Sequence, residues 1–352
     1  MGKNGTETVS TGRRVGRIFR NIGLGILGAL LLLLLAITVI PLTEHSRAGA
    51  EYGVDTSESA DWMGLVDGTL LLSELNLPGS HDAATEHVEL AFFSRCQDSG
   101  IAEQLEEGYR YLDIRLAVDY TDGEESLKLM HGFCTCRTGN WPWSGVLYLE
   151  NVLEDCYSFL EEHPTETIVF CIKHEYGDES LEDFQRILNN YVQANADAWY
   201  LENRIPTLEE ARGKLVLVRR YADALELGDE GGLAIRWVDQ NETEPVEIPY
   251  TIKESENITI AVQDRYCYGT EDKWDAFCLT AEEAYEAIDG DGVVLNFLST
   301  KGTFSYGHAY WKASKLNPRI FETGYRDGDH MGWVIMDFTN APMAKMIYST
   351  NY

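Results

Sequence analysis

Short apolar runs alternate along the chain with segments whose apolar positions recur every three to four residues. The runs are LNL at 75–77, RYLDIRLAV at 110–118, LKLM at 127–130 and TIVFCI at 167–172, then KLVLV at 214–218, ITIAV at 258–262, VVLNFL at 293–298 and GWVIM at 332–336. Most are near-continuously apolar rather than alternating, the pattern of strands buried on both faces of a parallel sheet. Residues 148–162 place Leu149, Val152, Leu153, Cys156, Phe159 and Leu160 at helical i, i+3, i+4 spacing. Residues 181–192 repeat that spacing, and 281–288 predict a third, shorter helix. The acidic stretch 226–248 has no period and reads as a long excursion loop. Eight strands alternating with helices predict an α/β fold, a (β/α)8 TIM barrel, either closed or distorted and incomplete.

The N-terminal pattern is different. Residues 22–40 form an uncharged run of 19 residues, which as a helix reaches roughly 28 Å, about the thickness of a bilayer's hydrocarbon core. Arg13, Arg14, Arg17 and Arg20 precede it, and Glu44, Glu51 and Asp55 follow. The positive-inside bias therefore predicts a single-pass cell-membrane protein with a cytoplasmic N-terminus and an extracellular remainder. The competing reading is a cleaved secretory signal ending at Ala48-Gly49-Ala50, which gives a secreted protein. No linker or repeat divides the rest. The expected organisation is a basic tail at 1–21, a membrane span at 22–41, a linker at 42–60 and one barrel domain at 61–352.

Charge narrows the partners. The formal net charge is −30. Residues 1–50 hold 6 Lys and Arg and 2 Asp and Glu, which leaves 22 positive and 56 negative side chains beyond them, a net of −34. Such a surface repels phosphate backbones, so nucleic acid is excluded as a partner, and lipid binding has to rely on apolar or aromatic contacts. Seven cysteines occur, an odd count that leaves at least one unpaired, with Cys267 and Cys278 spaced to close a short loop. Cys134-Thr135-Cys136 lacks a second pair at zinc spacing. Asn241 and Asn257 begin sequons that matter only in a glycosylating host.

Candidate chemistry gathers at the strand ends. In Leu75-Asn76-Leu77-Pro78-Gly79-Ser80-His81-Asp82 the apolar run meets Pro78-Gly79, which is expected to end the strand and place His81 on the following loop. Alone, that stretch fits better a turn before a surface helix that carries an ordinary histidine. The other runs end in similar groups: Asp113 and Arg115, His131, Lys173-His174-Glu175, Arg219-Arg220-Tyr221, Asp264 and Tyr266, Asn296 and Ser299, and Asp337. In a parallel barrel all strand C-termini point to one face, so these groups are expected to converge in one mouth. The sequence has no HExxH, EF-hand loop, H-x-H spacing, GxGxxG after a strand, GxxxxGK[ST] or GxSxG. No cofactor and no metal are therefore expected. Two histidines among cations suit in-line phosphoryl transfer, one imidazole accepting a proton from the attacking hydroxyl and the other protonating the leaving oxygen.

In this pattern the chain resembles the X domain of phosphatidylinositol-specific phospholipase C, and more closely the secreted bacterial type. The segments that carry the resemblance are LPGSHDAAT, YRYLDIRL, LMHG, HPTETIVFCIKHEY, ARGKLVLVRRY, ITIAVQDRY, LNFLST and GWVIMDF, spread over residues 62–348. The resemblance implies that His81 is the general base on the inositol 2-hydroxyl, paired with Asp337. It implies that His131 is the general acid, assisted by Asp82. Arg115 then contacts the phosphate where calcium-dependent relatives hold their metal, with Asp113 supporting the network. Lys173, Arg220 and Asp264 bind inositol hydroxyls, and Tyr266 stacks on the ring. Arg220, rather than Arg219, is the expected residue because it immediately precedes Tyr221. The implied reaction cleaves phosphatidylinositol without metal to an inositol cyclic phosphate and diacylglycerol, at a membrane. Alternatives are a related phosphodiesterase on another phospholipid or a glycosylphosphatidylinositol anchor, and a catalytically silent surface module that binds inositol lipid. Trp141 and Trp143, in a segment longer than the pattern, fit either a membrane-touching rim or core.

Overall fold

The computed structural model describes residues 7–42, 53–141, 143–290, 292–301 and 308–352. The Ala48-Gly49-Ala50 site and residues 43–52 of the linker lie outside them. Its strands are β1 (Leu77–Ser80), β2 (Tyr111–Asp119), β3 (Ser126–His131), β4 (Cys134–Thr135), β5 (Ile168–His174), β6 (Trp199–Tyr200), β7 (Leu215–Arg219), β8 (Leu233–Ala234), β9 (Thr251–Ser255), β10 (Ile258–Gln263), β11 (Val293–Phe297) and β12 (Trp333–Met336). The helices are α1 (Glu7–Leu42), α2 (Ala91–Ser94), α3 (Ile101–Glu106), α4 (Leu149–Glu162), α5 (Leu181–Ala194), α6 (Leu208–Ala211), α7 (Thr270–Ala287), α8 (Ala309–Leu316), α9 (Ile320–Thr323) and α10 (Ala341–Tyr348).

A parallel ladder runs β7-β5-β2-β1-β12-β11-β10, and the short β6 and β8 both pair with β7 at its outer edge. β9 pairs antiparallel with β10 at the opposite edge. Among the described residues no strand pairing joins these two edges, so the TIM-barrel-like sheet is open there.

Alternation along each strand sets what faces the barrel axis. On β2, Leu112, Ile114 and Leu116 pack in the same outer cluster as Leu149, Val152, Leu153 and Leu160 of α4. Tyr111 belongs to the inner cluster, so Asp113 and Arg115, in step with it, point inward. The same parity on β5 buries Val169 and Cys171 inside and Ile168, Phe170 and Ile172 outside. It turns Lys173 toward the mouth.

Three expectations are corrected. Pro78-Gly79 does not end the first strand but lies inside β1. Pro78 offers its carbonyl to Arg110 N at 2.9 Å, and its missing N–H faces the flank where β2 has only begun. Gly79 is required by close approach, because a Cβ there would lie 3.0 Å from Tyr111 Cβ and 3.2 Å from Ile335 Cγ1. Second, residues 127–130 are not a parallel barrel strand. They lie in β3, which folds back antiparallel on β2 with Leu116 opposite Leu129. Third, the helix expected at 281–288 is the end of the longer α7. The seven cysteines are all free thiols, so the loop that Cys267 and Cys278 are spaced to close is not formed by a disulfide.

The fold closes through its ends. Trp62 stacks on Tyr348 with ring centroids 5.0 Å apart, and Ser59 Oγ lies 2.9 Å from Tyr348 Oη. Beside them Arg110 and Glu166, both fully buried, pair at 2.9 Å. Arg110 also donates to the carbonyls of Leu105 at 2.7 Å and Ala60 at 2.8 Å. Removing one partner of such a pair strands the other charge. Glu166→Ala is therefore expected to lower unfolding free energy by about 3–5 kcal/mol. Urea denaturation measures this; a loss below about 1 kcal/mol, the range of exposed pairs, contradicts it.

Candidate active site

Register, rather than loop conformation, brings the first two site residues together. β1 and β12 pair in parallel with Ser80 opposite Met336. The next residue of each strand, His81 and Asp337, therefore leaves the sheet side by side, and His81 Nδ1 lies 2.7 Å from Asp337 Oδ1. Asp337 is buried, and its other oxygen accepts from Thr300 N at 3.2 Å. The following residues, Asp82 and Phe338, turn through left-handed backbone at φ 45° and 51°, a cost concentrated at functional corners.

Arg115 occupies the centre. Its Nη2 donates to Asp113 Oδ2 at 3.0 Å and lies 2.7 Å from His81 Nε2, while Nη1 is 3.0 Å from Asp82 Oδ2. An arginine only donates, so His81 Nε2 is an acceptor there and its proton sits on Nδ1, toward Asp337. Burial favours the neutral imidazole, but the charge and hydrogen bond of Asp337, with Asp82, together raise the His81 pKa above 6.5. Burial also opposes ionisation of Asp113, yet the charges of Arg115, His81 and Arg220 hold its carboxyl well below the usual range.

His131 reaches the mouth by a route the barrel argument did not contain. It ends β3, the strand that runs back along β2, so the hairpin returns it to the level of Arg115. Its Nδ1 donates to Ser94 O at 2.6 Å, leaving Nε2 3.5 Å from Asp82 Oδ2. The His81 and His131 rings stand edge to face with centroids 6.5 Å apart.

The rest of the mouth follows the inward parity. Val216 and Val218 of β7 face inward, so Arg220 does also, whereas Arg219 turns out to meet Glu256 at 3.3 Å. Arg220 Nη2 lies 3.4 Å from Asp264 Oδ2, and Lys173 Nζ is 2.7 Å from Glu175 Oε2. A cavity of about 320 Å3 is lined by His81, Arg115, His131, Lys173, Arg220, Asp264 and Tyr266. Asp82, Asp113 and Asp337 are buried behind it. All ten expected residues therefore belong to one site.

Others were given no role from the sequence, Glu175 although it ends one of the runs. Glu175 accepts from Gly132 N at 2.9 Å, steadying the turn beside His131. Its burial resists ionisation, but Arg115 and Lys173 lower its pKa. Trp237 lies under the Arg220 guanidinium at 3.7 Å and donates from Nε1 to Asp264 at 3.0 Å. Phe93, Cys96, Asp239, Thr300 and Lys301 complete the lining. Glu175 directly follows β5 and stands among the groups that end its run in the sequence, a signal that was available. Trp237 sits in the aperiodic 226–248 loop, which carried none.

Donor atoms of His81, Asp82 and Cys96 lie within 4.8 Å of one another, the spacing of a metal group. Arg115 already presents its charge to His81 and Asp82. Burial and the nearby Asp337 and Asp82 push the Cys96 thiol well above its ordinary range, so it stays protonated. These residues fit a cation poorly.

Two facing imidazoles, one backed by a carboxylate, with a guanidinium between them, define a two-histidine phosphoryl-transfer centre on a TIM-barrel-like scaffold. Residues 78–221 match the family described as phosphatidylinositol-specific phospholipase C, X domain. The match contains His81, Arg115, His131, Lys173 and Arg220, and Asp264, Tyr266 and Asp337 lie beyond it. The chain is 28% identical over 295 residues to a 1-phosphatidylinositol phosphodiesterase of Staphylococcus aureus, covering 79% of this chain and 88% of that one. A solved structure of the Staphylococcus aureus phosphatidylinositol-specific phospholipase C superposes with TM-score 0.68 at 25% identity, over 85% of this chain and 100% of the other. The Listeria monocytogenes enzyme matches in fold, with TM-score 0.64 at 23% identity over 84% and 99% of the two chains.

Proposed function

We propose that this chain is a phosphatidylinositol-specific phospholipase C that works by acid–base catalysis without a metal. The observation that carries the reading is the His81–Asp337 pair at 2.7 Å, set across Arg115 from His131. His81 Nε2 takes the proton of the inositol 2-hydroxyl, and that oxygen attacks phosphorus. Asp337 holds the resulting imidazolium. Arg115 meets the charge that develops on the phosphoryl oxygens. His131, protonated at Nε2 and near Asp82, gives its proton to the diacylglycerol oxygen as the P–O bond breaks. The products are an inositol cyclic phosphate and diacylglycerol. Lys173, Arg220 and Asp264 bind ring hydroxyls, and Tyr266 offers the ring a flat face.

Both imidazoles keep their partners, which counts against a silent inositol-lipid-binding module. The charge of the guanidinium at the place a cation would take supports the metal-free reading. The N-terminal residues 1–21 are a cytoplasmic tail, 22–41 cross the membrane, 42–60 link, and 61–352 form the catalytic domain outside the cell. In support, Arg14–Leu35 of α1 has a mean hydropathy of 2.2 and is 0% buried.

Incubating the chain with phosphatidylinositol is expected to release inositol cyclic phosphate at the same rate with and without EDTA. Complete loss with EDTA would overturn the metal-free mechanism. Absence of product under both conditions would overturn the activity.

A further inference from the structure

The parallel ladder between β1 and β12 ends at a wedge. Leu77 N donates to Gly332 O at 3.3 Å, and His81 N donates to Met336 O at 2.9 Å. Continued by one rung, such a ladder would join Phe338 N to His81 O. Each group instead bonds elsewhere. Phe338 N donates to Cys96 O at 2.7 Å, and His81 O accepts from Gln97 Nε2 at 2.7 Å. Two residues of the turn between α2 and α3 therefore stand in place of that rung. Beyond them both strands leave the sheet through the left-handed corners at Asp82 and Phe338.

Gln97 is fully buried, and every hydrogen-bonding position of its amide is used. Nε2 also donates to Met336 O at 2.9 Å, while Oε1 accepts from Thr339 N at 3.2 Å and Thr339 Oγ1 at 3.1 Å. Two donors and two acceptors fix the amide's orientation, because a flipped amide would set its oxygen against two carbonyls. One side chain thus grips the backbone of His81 and the backbone on both sides of Asp337. A buried polar group satisfied in this way rigidifies what it joins, and removing it leaves His81 O without this partner.

We propose that Gln97 is the positioning residue of the His81–Asp337 pair: in the place of a ladder rung, its amide sets the spacing and angle at which imidazole and carboxylate meet. This rests on the phospholipase reading above and adds what holds its base to its carboxylate. His81 is faced by Asp337 after β12, by Asp82, by Asp113 and Arg115 of β2 and by His131 of β3. Burial lowers its pKa, and Asp337 gives the largest opposing pull, so a looser pair titrates lower.

The test follows the full chain in detergent micelles by two readouts. One is release of cyclic inositol phosphate, and the other is a histidine NMR titration in which the His81 signal is assigned by its loss in His81→Ala. Gln97→Met keeps the volume and removes all four bonds. It is expected to lower kcat by about 10²-fold with KM changed by less than about twofold, the cost of a small misplacement of a reacting group. The His81 titration is expected to move to lower pH. Thr339→Val, which removes only the hydroxyl that orients the amide, should move both in the same direction by less, and it carries the test if the methionine variant does not fold. Glu166→Gln, in the buried pair at the opposite ends of β2 and β5, should lower the unfolding midpoint and leave the His81 titration where it is. Parent kcat and parent titration in Gln97→Met overturn the proposal. So does a fall in kcat with an unmoved His81 titration, or an equal shift in Glu166→Gln. A parent chain that releases no cyclic phosphate overturns the phospholipase reading, while the NMR titration still decides what holds the pair.

Discussion

His81→Ala is expected to lower kcat by about 10²–10⁴-fold with little change in KM, the range that positioned proton transfer contributes. The substitution removes the group proposed to accept the attacking hydroxyl's proton and leaves the side chains proposed to bind inositol untouched. Lys173 on β5 keeps its pairing with Glu175, Arg220 and Asp264, just past β7 and β10, keep theirs with each other, and Tyr266 lines the cavity beyond β10. Release of cyclic inositol phosphate under saturating lipid measures the effect. A variant with undiminished kcat would remove His81 from the mechanism.

The same pair sets the pH dependence. A base must be neutral to act, so kcat/KM should rise with pH through the His81 titration. Burial lowers that pKa, but the charge and hydrogen bond of Asp337 together with Asp82 raise it on balance, so the acidic limb should lie above the ordinary 6.5. Asp337→Asn removes the dominant raising charge and leaves burial and Arg115, which both lower it, opposed only by the weaker pull of Asp82. The limb should then move to lower pH, while kcat falls because the imidazolium loses its support. A limb that stays in place in the Asn variant would mean that another group titrates there.

What the sequence made legible was mostly which polar groups end the strands and which strands adjoin. Asp113, Arg115, Lys173 and Arg220 were legible as strand-end groups, but their inward parity was not, because runs that are apolar on both faces do not mark the inner one. The pairing of His81 with Asp337 follows from the first and last strands being neighbours in parallel register. Local propensity served less well. Pro78-Gly79 looked like a strand end, but in a tightly packed parallel strand the absent Cβ of Gly79 is what lets Tyr111 and Ile335 close in. His131 was placed in the right mouth for the wrong reason, since a run of four apolar residues does not reveal strand direction, and β3 runs against its neighbour. Trp141 and Trp143, left between rim and core, are 66% and 78% exposed and stacked on each other, so they are not core. Trp237 was invisible because a loop residue that packs on Arg220 obeys no period.

Arg115→Lys is expected to lower kcat by about 10²–10³-fold, as for loss of one preorganised donor to a developing oxyanion. The guanidinium spans three partners at once: Asp113 at 3.0 Å, Asp82 at 3.0 Å and His81 Nε2 at 2.7 Å. A planar fork does this, and a single ammonium on a flexible stem does not. Lysine still keeps a positive charge beside two buried carboxylates, so the fold should survive, which alanine would not ensure. Thermal unfolding separates the two effects. A midpoint near that of the parent with a large drop in kcat assigns Arg115 to the transition state. An equal loss in both Km-independent rate and folding would make it structural. A lysine variant with full kcat would show that charge alone, without the fork that ties His81 to Asp82 and Asp113, suffices at this centre.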